Sequence, residues 1–516
     1  MPIQFVFEYK KNCFLLEDNT NYRDNDEHLA TAIKELYKNC NSPDEIRKFL
    51  NIDHEINHLT QDLSFPSSFT EYIFNQYIYR LVVSFPHDGS VTFPLYANNI
   101  PTNTARTKLD INYLMLYEIY HKESIYHALF IQPIKAFGIA EKLGKISNGI
   151  INNFNISYQD LLESHAYFKS LFDLCALKSS EKNIIQEVLN HDRLFPIKCE
   201  ERGKITFDWI SFMCRSPYLF PFYLFMEATS LNWGNIIHYI NSDFPDYSYP
   251  DKIEFVNCYF LYTLVIEAAI TIPSFIFIRD KLQDGSYEIE TFQPVARFFK
   301  ILWFIAELNY VDLLTYRTGD IASFIDKLAK KYGWPDYNTT KKSFTQSSEY
   351  GNDCFCSMIN TTFSIKNSSN ALFTMPFFFI ESNFTFPIIC RTKDKMKITS
   401  LTGNDNGEKI CDSFYKAYFH NDNSSKGLKY QESLKFVLDN IFIKNIIETE
   451  LFTGGNFCCP MNNHDCKFRS DFCNDIDTRT NLKKHIDNIS LSIGKPAKCM
   501  FLEFLMNNLP EYSGRA

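Results

Sequence analysis

From about Lys108 to Tyr332 the chain repeats apolar residues at helical spacing, with no repeat of fixed period behind them. The stretches Ile111–Tyr120, Tyr158–Leu177, Ile184–Leu189, Phe255–Ile270, Phe292–Leu314 and Ile321–Tyr332 each present an apolar stripe on one side of a helix. Stripes of that kind are stable only when they cover one another, so a helical domain is expected here. Gly333 and Pro335 close the last stretch as a helix stop should. The groups available to fill such a core are large, because 49 Phe and 30 Tyr stand against 17 Gly. Rings of that size bury much surface each, and few glycines mean few pliable joints.

A chain of 516 residues exceeds what one ordinary core serves, so several regions are expected. In the first, residues 1–104, Ile3–Tyr9 alternates like a strand and Cys13–Leu16 follows as a second. Ser42 before Pro43, Asp44 and Glu45 is a helix start, with a capping hydroxyl, a first-turn proline and acids at the positive end of the dipole. Asp88-Gly89 between Leu81–Phe85 and Val91–Tyr96 reads as a β-hairpin. The helical domain spans 105–335. Residues 336–425 are rich in Asn, Ser and Thr and carry strand-like runs at Ala371–Ile380 and Phe384–Cys390, then a polar loop at Thr402–Lys409. Residues 426–516 hold a helix at Tyr430–Phe452, a cysteine cluster and a short helix at Phe501–Asn508. The expected class is a mainly α, multidomain protein with a short N-terminal β-hairpin element and a smaller mixed α/β C-terminal region.

The formal net charge is −9 and no long basic block occurs, which argues against extensive phosphate binding. Met1 to Leu16 lacks a basic segment followed by a long apolar one, so no secretory signal is read there and an intracellular place, cytoplasmic or nuclear, is expected. Reduced thiols follow from that. Residues 255–278 are long and apolar enough to raise a membrane span, but Glu267 sits near the centre and Asn257, Thr263, Thr271 and Pro273 interrupt. A buried helix ending near Pro273 is the preferred reading, and membrane association the alternative.

Two constellations carry chemistry. His54-Glu55-Ile56-Asn57-His58 matches H-E-x-x-H, in which histidines four apart on a helix reach one Zn2+ and the glutamate activates bound water. Ile52, Ile56, Leu59 and Leu63 form the apolar stripe, which leaves His54 and His58 on another face, either a ligand face or a solvated one. Asp53 and Thr60 depart from the usual metallopeptidase helix, and Asp53 also reads as the N-cap of a short helix. The gluzincin form of the motif needs a downstream glutamate, for which Glu71, Glu118 and Glu123 are candidates by distance.

Nine of the 15 cysteines fall after Asn352. The segment Cys459-Pro-Met-Asn-Asn-His-Asp-Cys466-Lys-Phe468, followed by Thr478-Arg-Thr-Asn-Leu482-Lys-Lys-His485, resembles a degenerate C2H2 zinc finger. The resemblance implies that Cys459, Cys466 and His485 hold zinc while Phe468 and Leu482 form a small core. Six residues separate the two cysteines where two to four are usual, and no second histidine follows His485. Cys499 would complete the set, with Cys473, Cys458 or His464 as substitutes.

Taken alone, the sequence favours an intracellular protein that binds a macromolecule, with a structural zinc site near its C-terminus. A protein partner is expected ahead of nucleic acid, because acids at Asp465, Asp471, Asp475, Asp477 and Asp487 nearly cancel Arg479, Lys483 and Lys484. The enzymatic alternative is a zinc metallopeptidase with His54 and His58 as ligands and Glu55 as base. Oligomeric state is not encoded in any motif found.

Overall fold

The computed structural model describes residues 5–10, 13–18, 42–64, 75, 79, 156–176, 218–229, 261–271, 294–308, 321–347, 387–392, 396–400, 410–419, 425–447, 500, 501, 503 and 504. Most of these are helical, so the protein is mainly α. The helices are α1 (Pro43–Ser64), α2 (Tyr158–Ala176), α3 (Phe220–Thr229), α4 (Pro294–Ala306), α5 (Ile321–Tyr332), α6 (Tyr337–Ser347), α7 (Ile410–Phe419) and α8 (Ser425–Ile447), with a further helical segment at 261–270. Strands β1 (Phe5–Lys10), β2 (Cys13–Asp18), β3 (Pro387–Thr392) and β4 (Met396–Ser400) lie in the order β1-β2-β3-β4. The β1/β2 and β3/β4 pairs are antiparallel and β2/β3 is parallel.

Two local devices set the helices that matter for the site. At the head of α1 the Glu45 N–H donates to Ser42 Oγ at 3.3 Å, and the Ile46 N–H donates to the Ser42 carbonyl at 3.0 Å. The capping hydroxyl and Pro43 thus do what the sequence predicts. At the head of α2, the Asp160 N–H donates to Ser157 Oγ at 3.2 Å while the Ser157 N–H donates to Asp160 Oδ2 at 2.6 Å. Each side chain satisfies the other's backbone, which is a capping box with Asp in the acidic place.

Helix α1 packs on α2, and α2 packs in turn on α3 and α4. Ile46, Phe49, Ile52 and Ile56 of α1 and Leu161, Leu162, Phe168 and Leu171 of α2 are buried. Full burial of one such side chain contributes about 1.5–3 kcal/mol. Behind α2 an aromatic cluster fixes α3 and the 261–270 helix. Phe168 stacks on Phe222 with ring centres 3.8 Å apart, Tyr262 meets Phe222 edge-on at 4.9 Å, and the Tyr262 hydroxyl shares a hydrogen bond of 2.6 Å with Ser164 Oγ. Here the Phe-rich composition becomes packing, since edge-on and offset rings add stability beyond their area.

Helix α5 occupies the predicted Ile321–Tyr332 and ends at Gly333, whose φ of +70° needs a residue without Cβ. Trp334, just beyond, is buried, and Arg297 of α4 lies over its ring at 4.5 Å. Burial lowers the Arg297 pKa to about 10, so the group remains a cation there. Trp303, by contrast, is not core. It is 39% exposed and donates its indole N–H to Glu307 Oε1 at 2.9 Å, a polar tip on a wet face. Trp209 and Trp233 lie outside the described residues.

Helix α4 ends at Ala306 rather than Leu314, because the chain tightens there through Glu307 N–H to Phe304 O and Leu308 N–H to Ile305 O. Helix α8 starts at Ser425, earlier than the Tyr430 read from the sequence; Gly427 lowers local helix propensity and hid the start. Among the described residues no helix is long and apolar enough to cross a membrane. Within 255–278 the described helix covers 261–270, and Glu267 is buried in it. The hairpin read at Leu81–Tyr96 and the strand at Ala371–Ile380 fall outside the described residues.

Candidate metal centre

The H-E-x-x-H segment lies in the middle of α1, and its two histidines share the face turned to α2. Opposite them, in the second turn of α2, stands Glu163. His54 Nε2 is 3.1 Å from Glu163 Oε2, His58 Nε2 is 3.4 Å from the same oxygen, and the two Nε2 atoms are 3.2 Å apart. The rings meet edge-on with centres 4.7 Å apart. Two nitrogens and one oxygen form a triangle.

That triangle has the dimensions of a coordination face. Nitrogen and oxygen ligands at roughly 2.0–2.1 Å around a tetrahedral ion stand roughly 3.3–3.4 Å from one another. Three lone pairs this close repel unless positive charge lies among them, supplied by protons or by a cation. His54, His58 and Glu163 are the one group of three His, Cys, Asp or Glu side chains among the described residues that can hold a metal ion. The three side chains are 15%, 12% and 21% exposed, so the centre sits at the rim of the helix interface and not in its depth.

The pKa values follow from this crowding. Burial alone would raise Glu163, but hydrogen bonds and charge from His54 and His58 outweigh it and hold the carboxyl far below the ordinary range. Burial alone would lower His58; the hydrogen bond and charge of Glu163, the charge of Glu55 and the Gln61 hydrogen bond reverse that and raise it. Glu55 is therefore electrostatically within reach of the centre. Tyr218, just before α3, is raised by burial and by the charges of Glu163 and Glu55, and its ring centre is 5.8 Å from that of His54.

Around His54, His58 and Glu163 runs a second layer of hydrogen bonds. His58 Nδ1 is 2.8 Å from Gln61 Oε1. Gln61 Nε2 is 2.8 Å from the Leu162 carbonyl and 2.8 Å from His165 Nδ1. Burial first, then the charges of Lys169 and His58, push His165 down to a pKa of about 3, so it is neutral. Asn57 Nδ2 donates to Asp53 Oδ2 at 2.9 Å and to Ser170 Oγ at 3.3 Å. Gln159 Nε2 donates to the other Glu163 oxygen at 2.8 Å, which leaves Oε2 for the centre.

One sequence expectation is corrected. Asp53 is not an N-cap; it lies in the helix interior, fully buried, bonded to Asn57 one turn on. The polar side chains Asp53, Asn57 and Gln61 form a second buried stripe beside the apolar one, which explains a charged neighbour to the motif. The carboxylate facing the histidines is Glu163, 109 positions beyond His54. Glu71, Glu118 and Glu123 lie outside the described residues. Nothing near Glu163 in the sequence marks it, apart from the helical phase that puts it beside the buried Leu161, Leu162 and His165. Cys459, Cys466, Cys473, His485 and Cys499 also fall outside the described residues.

No family model matches the chain, and neither a curated protein nor a solved structure matches it.

Proposed function

We propose that this protein is a metal-dependent hydrolase, with His54, His58 and Glu163 as ligands of a zinc-like divalent cation and Glu55 as the base that activates water. The observation that supports it is the triangle of 3.1, 3.2 and 3.4 Å among two nitrogens and a carboxylate oxygen. Three protein ligands leave a fourth tetrahedral position for water or substrate, as catalytic zinc sites do and closed structural sites do not. Water held there would lose a proton near neutral pH, and Glu55, one residue after His54, would accept it. The ligand set fits attack on an amide or ester carbonyl, so peptides and esters are the substrates to try first.

Metal analysis of the purified full-length chain tests the reading, with His54→Ala and Glu163→Ala beside wild type. About one zinc per chain, lost in both variants, is expected. Glu55→Gln should keep the metal and abolish hydrolysis of peptide or ester substrates, since removing a general base lowers rate by about 10²–10⁴. Wild-type protein that carries no zinc after incubation with it would sink the proposal, and hydrolysis that survives Glu55→Gln would remove Glu55 from it.

The C-terminal resemblance supports a separate proposal: a zinc-finger-like module, within a mixed α/β region, that binds a protein partner. Its ligands would be Cys459, Cys466, His485 and Cys499, and Cys459→Ser with Cys466→Ser in the same metal analysis tests it. A second zinc per chain, lost in those variants alone, is the expected result.

A further inference from the structure

We infer that Gln61 is a positioning residue that fixes the tautomer of His58, so that its Nε2 lone pair faces the centre. The inference rests on the metal reading of His54, His58 and Glu163 and adds the device that sets the metal affinity of that site.

The argument runs through atoms whose roles are not free. The Leu162 carbonyl can only accept, and it lies 2.8 Å from one end of the Gln61 amide. That end must be the nitrogen, since an amide oxygen there would face another oxygen with no proton between them. The other end is then Oε1, which can only accept, and it lies 2.8 Å from His58 Nδ1. His58 Nδ1 must carry the proton. In a neutral imidazole one nitrogen donates and the other accepts, so the Nε2 of neutral His58 holds the lone pair. That Nε2 is the atom 3.4 Å from Glu163 Oε2 and 3.2 Å from His54 Nε2.

A second contact checks the first. The remaining Gln61 N–H points to His165 Nδ1 at 2.8 Å, which must therefore be an acceptor. His165 then holds its lone pair on Nδ1 and its proton on Nε2. All three amide contacts agree on one orientation of Gln61 and one tautomer for each histidine.

The placement also has a geometric sense. Gln61 lies one turn after His58 on α1, while Leu162 and His165 bracket Glu163 on α2. Gln61 therefore reads the backbone of the turn that supplies the carboxylate and transmits its position to the ring of His58. Partners of ligating histidines that lie outside the coordination sphere tune metal affinity by about 10–100-fold.

The test uses the full chain and zinc itself. Zinc affinity is measured by competition with a chromophoric chelator for wild type, Gln61→Leu and Gln61→Glu. Gln61→Leu should weaken zinc about 10–100-fold. Gln61→Glu keeps an acceptor for His58 Nδ1–H and, in its protonated form, a donor for Leu162 or His165, so it should recover most of the affinity. In the zinc-loaded wild type, long-range proton–nitrogen spectra should show one ring whose Nδ1 is protonated and whose Nε2 is ligated, a signature that Gln61→Leu loses. If Gln61→Leu lowers the melting temperature of the metal-free chain but binds zinc as wild type does, the role is structural and the inference fails while the metal reading stands. If wild type itself takes no zinc, both fall.

Discussion

On the proposed metal reading, His58 answers to opposite demands with and without an ion. In the metal-free protein its raised pKa means that protonation stabilises the fold, through Glu163. A raised histidine contributes stability that is present below its unfolded value, about 6.5, and is lost as pH rises through the folded one. Glu163 is depressed, so its contribution is present above the unfolded value of about 4.3 and is lost as pH falls through the folded one. The metal-free chain should therefore be most stable between about pH 4.5 and 6.5 as far as this pair decides it, and should weaken above neutrality. A cation needs the lone pair that the proton occupies, so zinc should stabilise more as pH rises over that same range. Melting temperatures from pH 5 to 9, with and without zinc, check both slopes, and His58→Ala should flatten them. At this scale the sequence was legible in part. The spacing of His54 and His58 puts two imidazoles on one helical face, which is local and visible. Which carboxylate meets them depends on how α1 lies on α2, and no local pattern records that.

At the scale of elements, punctuation was read better than content. Ser42-Pro43, Gly333 and the span of α5 follow from caps and a positive φ, which are local rules. Helices whose ends lack such marks were misjudged, as α4 and α8 were. The same reasoning explains α1, because the sequence offered one apolar stripe and the helix buries two faces, the second lined by Asp53, Asn57 and Gln61. Buried polar side chains satisfied across an interface look, in one dimension, like a solvated face. The capping box of α2 invites its own measurement. Ser157→Ala removes the hydroxyl that accepts from Asp160 N–H, and should cost about 1 kcal/mol in denaturant unfolding with an unchanged m-value. A loss well below about 0.5 kcal/mol would show that the cap contributes little to the helix that carries Glu163.

At the scale of the whole chain, composition marked regions and packing joined them. Helix α1 belongs to the stretch before 104 and packs on α2 beyond it; β2 near the start pairs with β3 in the stretch after 336. Composition reports what each stretch contains, whereas contacts depend on partners far along the chain, so a mainly helical class was legible and the neighbours of each helix were not. Among the described residues, the mainly helical outcome matches the periodic stretches at 158–176, 261–270, 294–306 and 321–332, and the aromatic excess found its use in the cluster around Phe168, Phe222 and Tyr262.

The docking of α1 on α2 reaches beyond the centre itself. Along the chain, the helix that carries His54 and His58 is joined to the one that carries Glu163 through the residues between Ser64 and Tyr158. A protease site engineered into that stretch would sever one half of the centre from the other. The severed pieces should travel as one particle on a sizing column, since their buried faces remain matched. Zinc should raise the urea concentration at which they part, and His54→Ala should remove that dependence while leaving the association in plain buffer. The centre would then act as a removable rivet between two lengths of polypeptide.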